Sequence, residues 1–274
     1  MSGEDLILVD IQDGVATLTM NMPRRYNGWT YSMMTELRQA LLDAAHNDDV
    51  KALVLTGADP YYCAGVNLSS TLKLDHPKVL HRSIKEQNEA LFNMFIDFPK
   101  PILIAVNGPA IGASVTSATL CDGIIASEKA TFSTPFAKLG VPTEGCSSVM
   151  FPALVGDDAA DRMLGKEGWV PTAAEALEIG LVDKVVEHDA LLEEAQALAK
   201  QWVEEGRTRT YREGFSREQL REVNAAESEA LATAFLSPPF LEGQFKFLMS
   251  RKKHGPAAMF FVLWKTHPVW SLLL

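Results

Sequence analysis

A chain of 274 residues, 47% apolar and 22% charged, has material for one large domain, or for a main domain with a smaller helical appendage. Its net charge of −10 and the lack of a broad basic stripe exclude a protein built to grip a nucleic-acid backbone. In chain order, LILVDIQDGVATLTMN reads as two strands around Asp13-Gly14, a hairpin signal. TYSMMTELRQALLDAAHND follows as a helix, with Thr30 as N-cap and Met33, Leu37, Leu41 and Ala44 at helical spacing. KALVLTG is a buried strand ending at Gly57, and HPKVLHRSIKEQNEALFNMFIDF a long helix stopped by Pro99. KPILIAVNG is a second buried strand, GASVTSATLCD a helix of small residues that begins at a glycine, and DGIIASE and ATFST two short strands.

Alternating strands and helices predict an α/β architecture with crossover connections. From about residue 157 strand signals fade and acidic, alanine-rich helices take over, with SPPF at 237–240 as a break. Residues 1–200 are read as the core and 201–274 as a helical C-terminal region. Cys63, Cys121 and Cys146 have no CxxC or Cys/His spacing and read as reduced thiols, with no metal site. MSGEDLILVD carries acids where a secretory leader carries bases. The apolar tail AAMFFVLWKTHPVWSLLL is broken by Lys265, His267 and Pro268 and does not end in an SKL-type address. The expectation is a cytoplasmic protein without a membrane span, its tail packed on another subunit, with peroxisome and mitochondrion left open.

The sharpest local feature is a pair of strand-to-helix turns. LVLTGADPYYCAGVNL leads a strand into Cys63-Ala64-Gly65-Val66-Asn67, and LIAVNGPAIGASVT leads another through Asn107-Gly108-Pro109 to Gly112-Ala113. Glycine lets a backbone approach a ligand, and the first amides of a helix are free donors, so two such turns side by side form an oxyanion hole. Each turn alone is better explained as the end of a strand. Neither matches a nucleotide-phosphate loop. The stretch LGVPTEGCSS places Glu144 between turn-forming residues, as a solvated turn acid or as a proton carrier.

These segments together resemble the crotonase superfamily, the enoyl-CoA hydratase/isomerase fold, over about residues 5–250. YYCAGVNL resembles its first oxyanion segment, NGPAIGASVTSATLCD its second, and ATFSTPFAKLGVPTEGCSSVMFPALVG its next active-site segment. The resemblance implies a core of repeated ββα turns, a helical C-terminal part used in trimerisation, and a homotrimer or hexamer. It implies an acyl-CoA substrate whose thioester oxygen lies between the Val66 and Ala113 amides. Ala64, Gly65, Asn67, Leu68 and Gly112 would then line the substrate. Asn67 alone reads as a turn former.

Hydratases of this superfamily use two glutamates, whose positions here fall on Thr116 and about Phe136. What remains is Glu144, in a segment similar to the PEGCSS of peroxisomal-type 3,2-enoyl-CoA isomerases, with Thr143 where that subgroup commonly has proline. One carboxylate suffices to move a proton from C2 to C4, and apolar Val141, Val149, Met150 and Phe151 would desolvate it. The expected activity is therefore conversion of 3-enoyl-CoA to trans-2-enoyl-CoA in unsaturated fatty acid β-oxidation. No cofactor is expected, coenzyme A being part of the substrate. The other readings are an enoyl-CoA hydratase with a displaced base or an acyl-CoA hydrolase, and a non-catalytic acyl-CoA-binding or interaction domain. Arg24 and Arg25 match a cation near the CoA phosphates, and Arg251, Lys252 and Lys253 a tail cluster near a phosphate, each equally explained as solvated surface. The six histidines have no nucleophile or metal partner at motif spacing, and most of them read as surface residues.

Overall fold

The computed structural model describes residues 5–66 and 75–274. Asp13 and Gly14 both take positive φ, 51° and 81°, the geometry a two-residue hairpin loop demands. β1 (Ile7–Gln12) therefore folds back antiparallel on β2 (Val15–Met20), with Ile7 opposite Met20. β3 (Ala52–Gly57), β4 (Ile102–Val106), β6 (Gly123–Ser127) and β8 (Lys184–Val186) extend the sheet in the order β1-β2-β3-β4-β6-β8, every pair after the hairpin being parallel.

Parallel neighbours need crossovers, and helices supply them. α1 (Tyr31–His46) links β2 to β3, its Thr30 hydroxyl accepting from the Met33 amide and Met33, Leu37, Leu41 and Ala44 buried. α2 (Pro77–Ile96) links β3 to β4, and α3 (Ala113–Thr119) follows β4. Side chains alternate across a strand. Leu53, Leu55, Ile102, Ile104 and Val106 accordingly face the main core. Ala52, Val54, Leu103 and Ala105 face α8 (Leu191–Glu204) with its Ala195, Ala199 and Trp202.

A second layer holds the site. β5 (Ala110–Ile111) pairs in parallel with β7 (Phe132–Ser133), and single bridges join Cys63 to Ala110 and Trp29 to Val66. Main-sheet strand, short second-layer segment and helix thus repeat along the chain: β4-β5-α3, then β6-β7-α4 (Phe136–Leu139). This is an α/β core of repeated ββα turns. Then come α5 (Ser147–Val155), α6 (Asp157–Leu164) and α7 (Ala173–Glu178). Beyond α8, α9 (Arg217–Phe235) packs on α2. α10 (Pro238–Ser250) and α11 (His254–Trp270) form a hairpin whose Phe240, Leu241, Leu248 and Phe260 cluster with Leu80 and Ile84 of α2 and Leu231 of α9.

One expectation needs correction. Strands do not end near residue 157: β8 closes the far edge, and with three residues led by an exposed lysine it leaves little pattern. ATFST supplies the two-residue β7, a short strand as read. Among the described residues no helix is long and apolar enough to cross a membrane.

Candidate active site

The two glycine turns are laced together by backbone and side chain. The Cys63 amide donates to Pro109 O at 3.3 Å, and the Ile111 amide donates to Cys63 O at 3.0 Å. The buried Ser114 hydroxyl bonds both turns, donating to Cys63 O at 3.3 Å and to Ile111 O at 3.0 Å. Gly65 sits at φ 79°, and a Cβ there would lie 2.6 Å from Ile111 O, so the approach needs glycine. Gly112 has φ 63° and ψ −127° at the start of α3, with nothing within 4 Å of a Cβ. Backbone conformation rather than space therefore selects glycine there. Among the described residues neither the Val66 amide nor the Ala113 amide finds an acceptor, and the latter heads a helix, where amides are left over.

Glu144 reaches this place from another element. Gly145, next to it, packs so closely that a Cβ would meet the Phe92 ring at 2.4 Å and the Thr116 hydroxyl at 2.7 Å. Thr116 is one helical turn after Ala113, whose carbonyl accepts from the Thr116 hydroxyl at 3.3 Å. Glu144 thus flanks the first turns of α3. The residue keeps partial exposure, but its carboxyl lies inside and accepts from Asn88 Nδ2 of α2 at 2.6 Å. Burial pushes the carboxyl up to about 7, opposed by the Asn88 donor, which favours the charged form, and assisted by the negative charge of Glu227. A buried carboxyl whose midpoint is raised toward neutral pH has the property a general base needs.

A family model described as Enoyl-CoA hydratase/isomerase matches residues 10–254. The chain belongs to that family. It is 35% identical over 264 residues to Enoyl-CoA delta isomerase 2 of Homo sapiens, covering 92% of this chain and 65% of that protein. It is 39% identical over 183 residues to Enoyl-CoA delta isomerase 3, peroxisomal, of Mus musculus, covering 65% of this chain and 56% of the relative. Chromodomain Y-like protein 2 of Mus musculus is 34% identical over 235 residues, 82% of this chain and 46% of the relative. The chain spans about half to two thirds of these relatives' length. An enoyl-CoA hydratase/isomerase from Pseudoalteromonas atlantica T6c shares the fold at a TM-score of 0.75 and 27% identity, covering 89% of this chain and 97% of the other.

Thr116 and Phe136, the positions that the resemblance implies for the two hydratase glutamates, carry no acid. Thr116 is fully buried beneath Gly145 and Phe92, and Phe136 is buried at the start of α4. Arg24 is exposed on a turn that Asn27 clamps, its Nδ2 donating to Ala58 O and Tyr61 O at 2.7 Å. The Ala64 amide donates to Tyr26 O at 2.9 Å, so the Arg24 turn is stitched to the Gly65 turn. Asn67 and Leu68 lie outside the described residues. Arg251, Lys252 and Lys253 are exposed between α10 and α11.

Cys63, Cys121 and Cys146 are free and buried, and burial pushes the Cys63 and Cys121 thiols up to about 12, which silences them as nucleophiles. His188 is not a simple surface residue. Its Nδ1 bonds the Ser127 hydroxyl at 3.0 Å and its Nε2 lies 3.1 Å from Asp59. The arrangement imitates a hydrolase triad, but Ser127 is fully buried and presents no nucleophile. The sequence reading missed Asn88 and Glu227, polar residues on long helices without a motif.

Proposed function

We propose that the protein is an enoyl-CoA isomerase that converts 3-enoyl-CoA thioesters to trans-2-enoyl-CoA. The observation that carries this is Glu144: an enclosed carboxyl with a midpoint near 7, held by Asn88 beside the first turns of α3. The carboxylate removes a proton from C2, and the electron pair moves into the thioester, leaving a dienolate whose oxygen accepts from the Val66 and Ala113 amides. As the oxygen returns its electrons, C4 takes the proton from Glu144, so the double bond shifts with no net gain or loss of atoms. Adding water would require a second acid to orient it, and Thr116 and Phe136 supply none. The isomerase names of two relatives support the same reading. Arg24 is assigned to the CoA phosphates. Exposed Phe247, Phe261, Val262 and Val269 on α10 and α11 suit a face covered in a trimer or hexamer.

The pH profile tests the assignment. The first step needs the charged form, so kcat/KM for 3-hexenoyl-CoA should rise with pH through a midpoint near 7, where an ordinary glutamate would give one near 4.5. A flat profile between pH 5 and 8 contradicts Glu144 as the base.

A further inference from the structure

Two neighbouring residues of α9 connect to Glu144 indirectly, one through the turn that follows it and one through Asn88. Glu227, buried at 7% exposure, accepts the Cys146 amide at 2.7 Å through Oε2 and the Ser148 amide at 2.9 Å through Oε1. Those amides open α5, where a helix leaves its donors unpaired and favours negative charge. They also follow Glu144 by two and four residues, so the Glu227 carboxylate holds the turn that carries it. Each Glu227 oxygen accepts one backbone amide, which ties the carboxylate to that turn.

Ser228, fully buried, donates its hydroxyl to Asn88 Oδ1 at 2.8 Å. A primary amide has one acceptor end and one donor end. Ser228 occupies the acceptor end, so Asn88 turns its NH2 toward Glu144 Oε2 at 2.6 Å. One turn earlier Asn224 donates to Glu89 O at 2.9 Å and to Asn93 Oδ1 at 3.0 Å, fixing α9 on α2 in this register. A relay of uncharged groups runs from α9 through α2 to the carboxyl.

We propose that Glu227 and Ser228 are positioning residues for Glu144, the first holding its backbone turn and the second holding the Asn88 amide that holds its carboxylate. The proposal rests on Glu144 being the proton carrier. The helical C-terminal region then takes part in the active site, since α9 sets the angle at which the base meets the substrate. Glu227 is the charged group that acts on Glu144 among the described residues; α2 and α3 face the turn with uncharged Asn88, Phe92 and Thr116.

The test is a cycle of Ser228→Ala and Asn88→Ala, alone and together, with Glu227→Gln beside it. The Glu144 carboxyl is followed by its carbon-13 resonance in glutamate-labelled protein, assigned by its loss in Glu144→Gln. Freeing Asn88 weakens a donor that favours the charged form, so Ser228→Ala should raise the Glu144 midpoint and lower kcat roughly 10-fold with KM nearly constant. Both changes should vanish in the Asn88→Ala background, because the link is already cut. Glu227→Gln removes a repelling charge and should shift the midpoint downward. A Ser228→Ala shift that is absent, or equally large without Asn88, overturns the proposal. The titration needs no turnover: a chain inactive on 3-hexenoyl-CoA that shows these shifts defeats the isomerase reading and leaves the positioning of Glu144 standing.

Discussion

Glu144→Gln should leave the fold intact and cut turnover of 3-hexenoyl-CoA by at least about 10²–10⁴-fold, the usual contribution of a general base. The larger end is expected because, on the proposed mechanism, one group both takes the proton from C2 and returns it at C4. Gln keeps the size of the side chain and an oxygen for Asn88 Nδ2, so substrate affinity should change little. Stability should move the other way. The folded midpoint, about 7, lies above the ordinary 4.5. The folded state therefore binds more protons than the unfolded one between those values, and wild-type stability falls as pH rises through that window. Gln carries no such cost. Denaturation at pH 8 should find Glu144→Gln more stable than wild type by on the order of 1 kcal/mol, and the gain should shrink toward pH 4. A difference that is equal at both pH values would mean that Glu144 is not desolvated in the fold.

Gly112→Val should cost roughly 10²–10³ in kcat while the protein still folds, the effect of losing one oxyanion donor. The position makes a clean test because no atom lies within 4 Å of the added Cβ. The penalty is in the backbone: at φ 63° and ψ −127° a β-branched residue is strained, and the chain relaxes by rotating the peptide that carries the Ala113 amide. Gly65→Ala should also lose activity, but there the Cβ meets Ile111 O at 2.6 Å and pushes the two turns apart, so thermal stability falls as well. Near-normal kcat in folded Gly112→Val, checked by circular dichroism, would show that the Ala113 amide is not a donor in the reaction.

The parts legible in the sequence were those set by neighbours in the chain. Asp13-Gly14 announces its hairpin because both residues must take positive φ. Thr30 and the buried Met33, Leu37, Leu41 and Ala44 announce α1 because cap and stripe are local. The glycine turns and Glu144 were legible as motifs. What holds Glu144 was not: Asn88 lies 56 residues away, and Glu227 lies 81 residues beyond the Cys146 amide it accepts. On a helix, polar residues read as solvated until packing shows which of them turn inward. Of the second layer, β7 was legible inside ATFST, whereas β5 escaped notice for a similar reason. β5 and β7 have two residues each and exist because long-range bridges align them.

The most direct measurement is product identification with 3-hexenoyl-CoA and 2-hexenoyl-CoA supplied separately. On the proposed mechanism, with Glu144 as the one proton carrier, the two should interconvert far faster than 3-hydroxyhexanoyl-CoA accumulates from either. Predominant formation of 3-hydroxyhexanoyl-CoA, or of free coenzyme A, would contradict the isomerase reading.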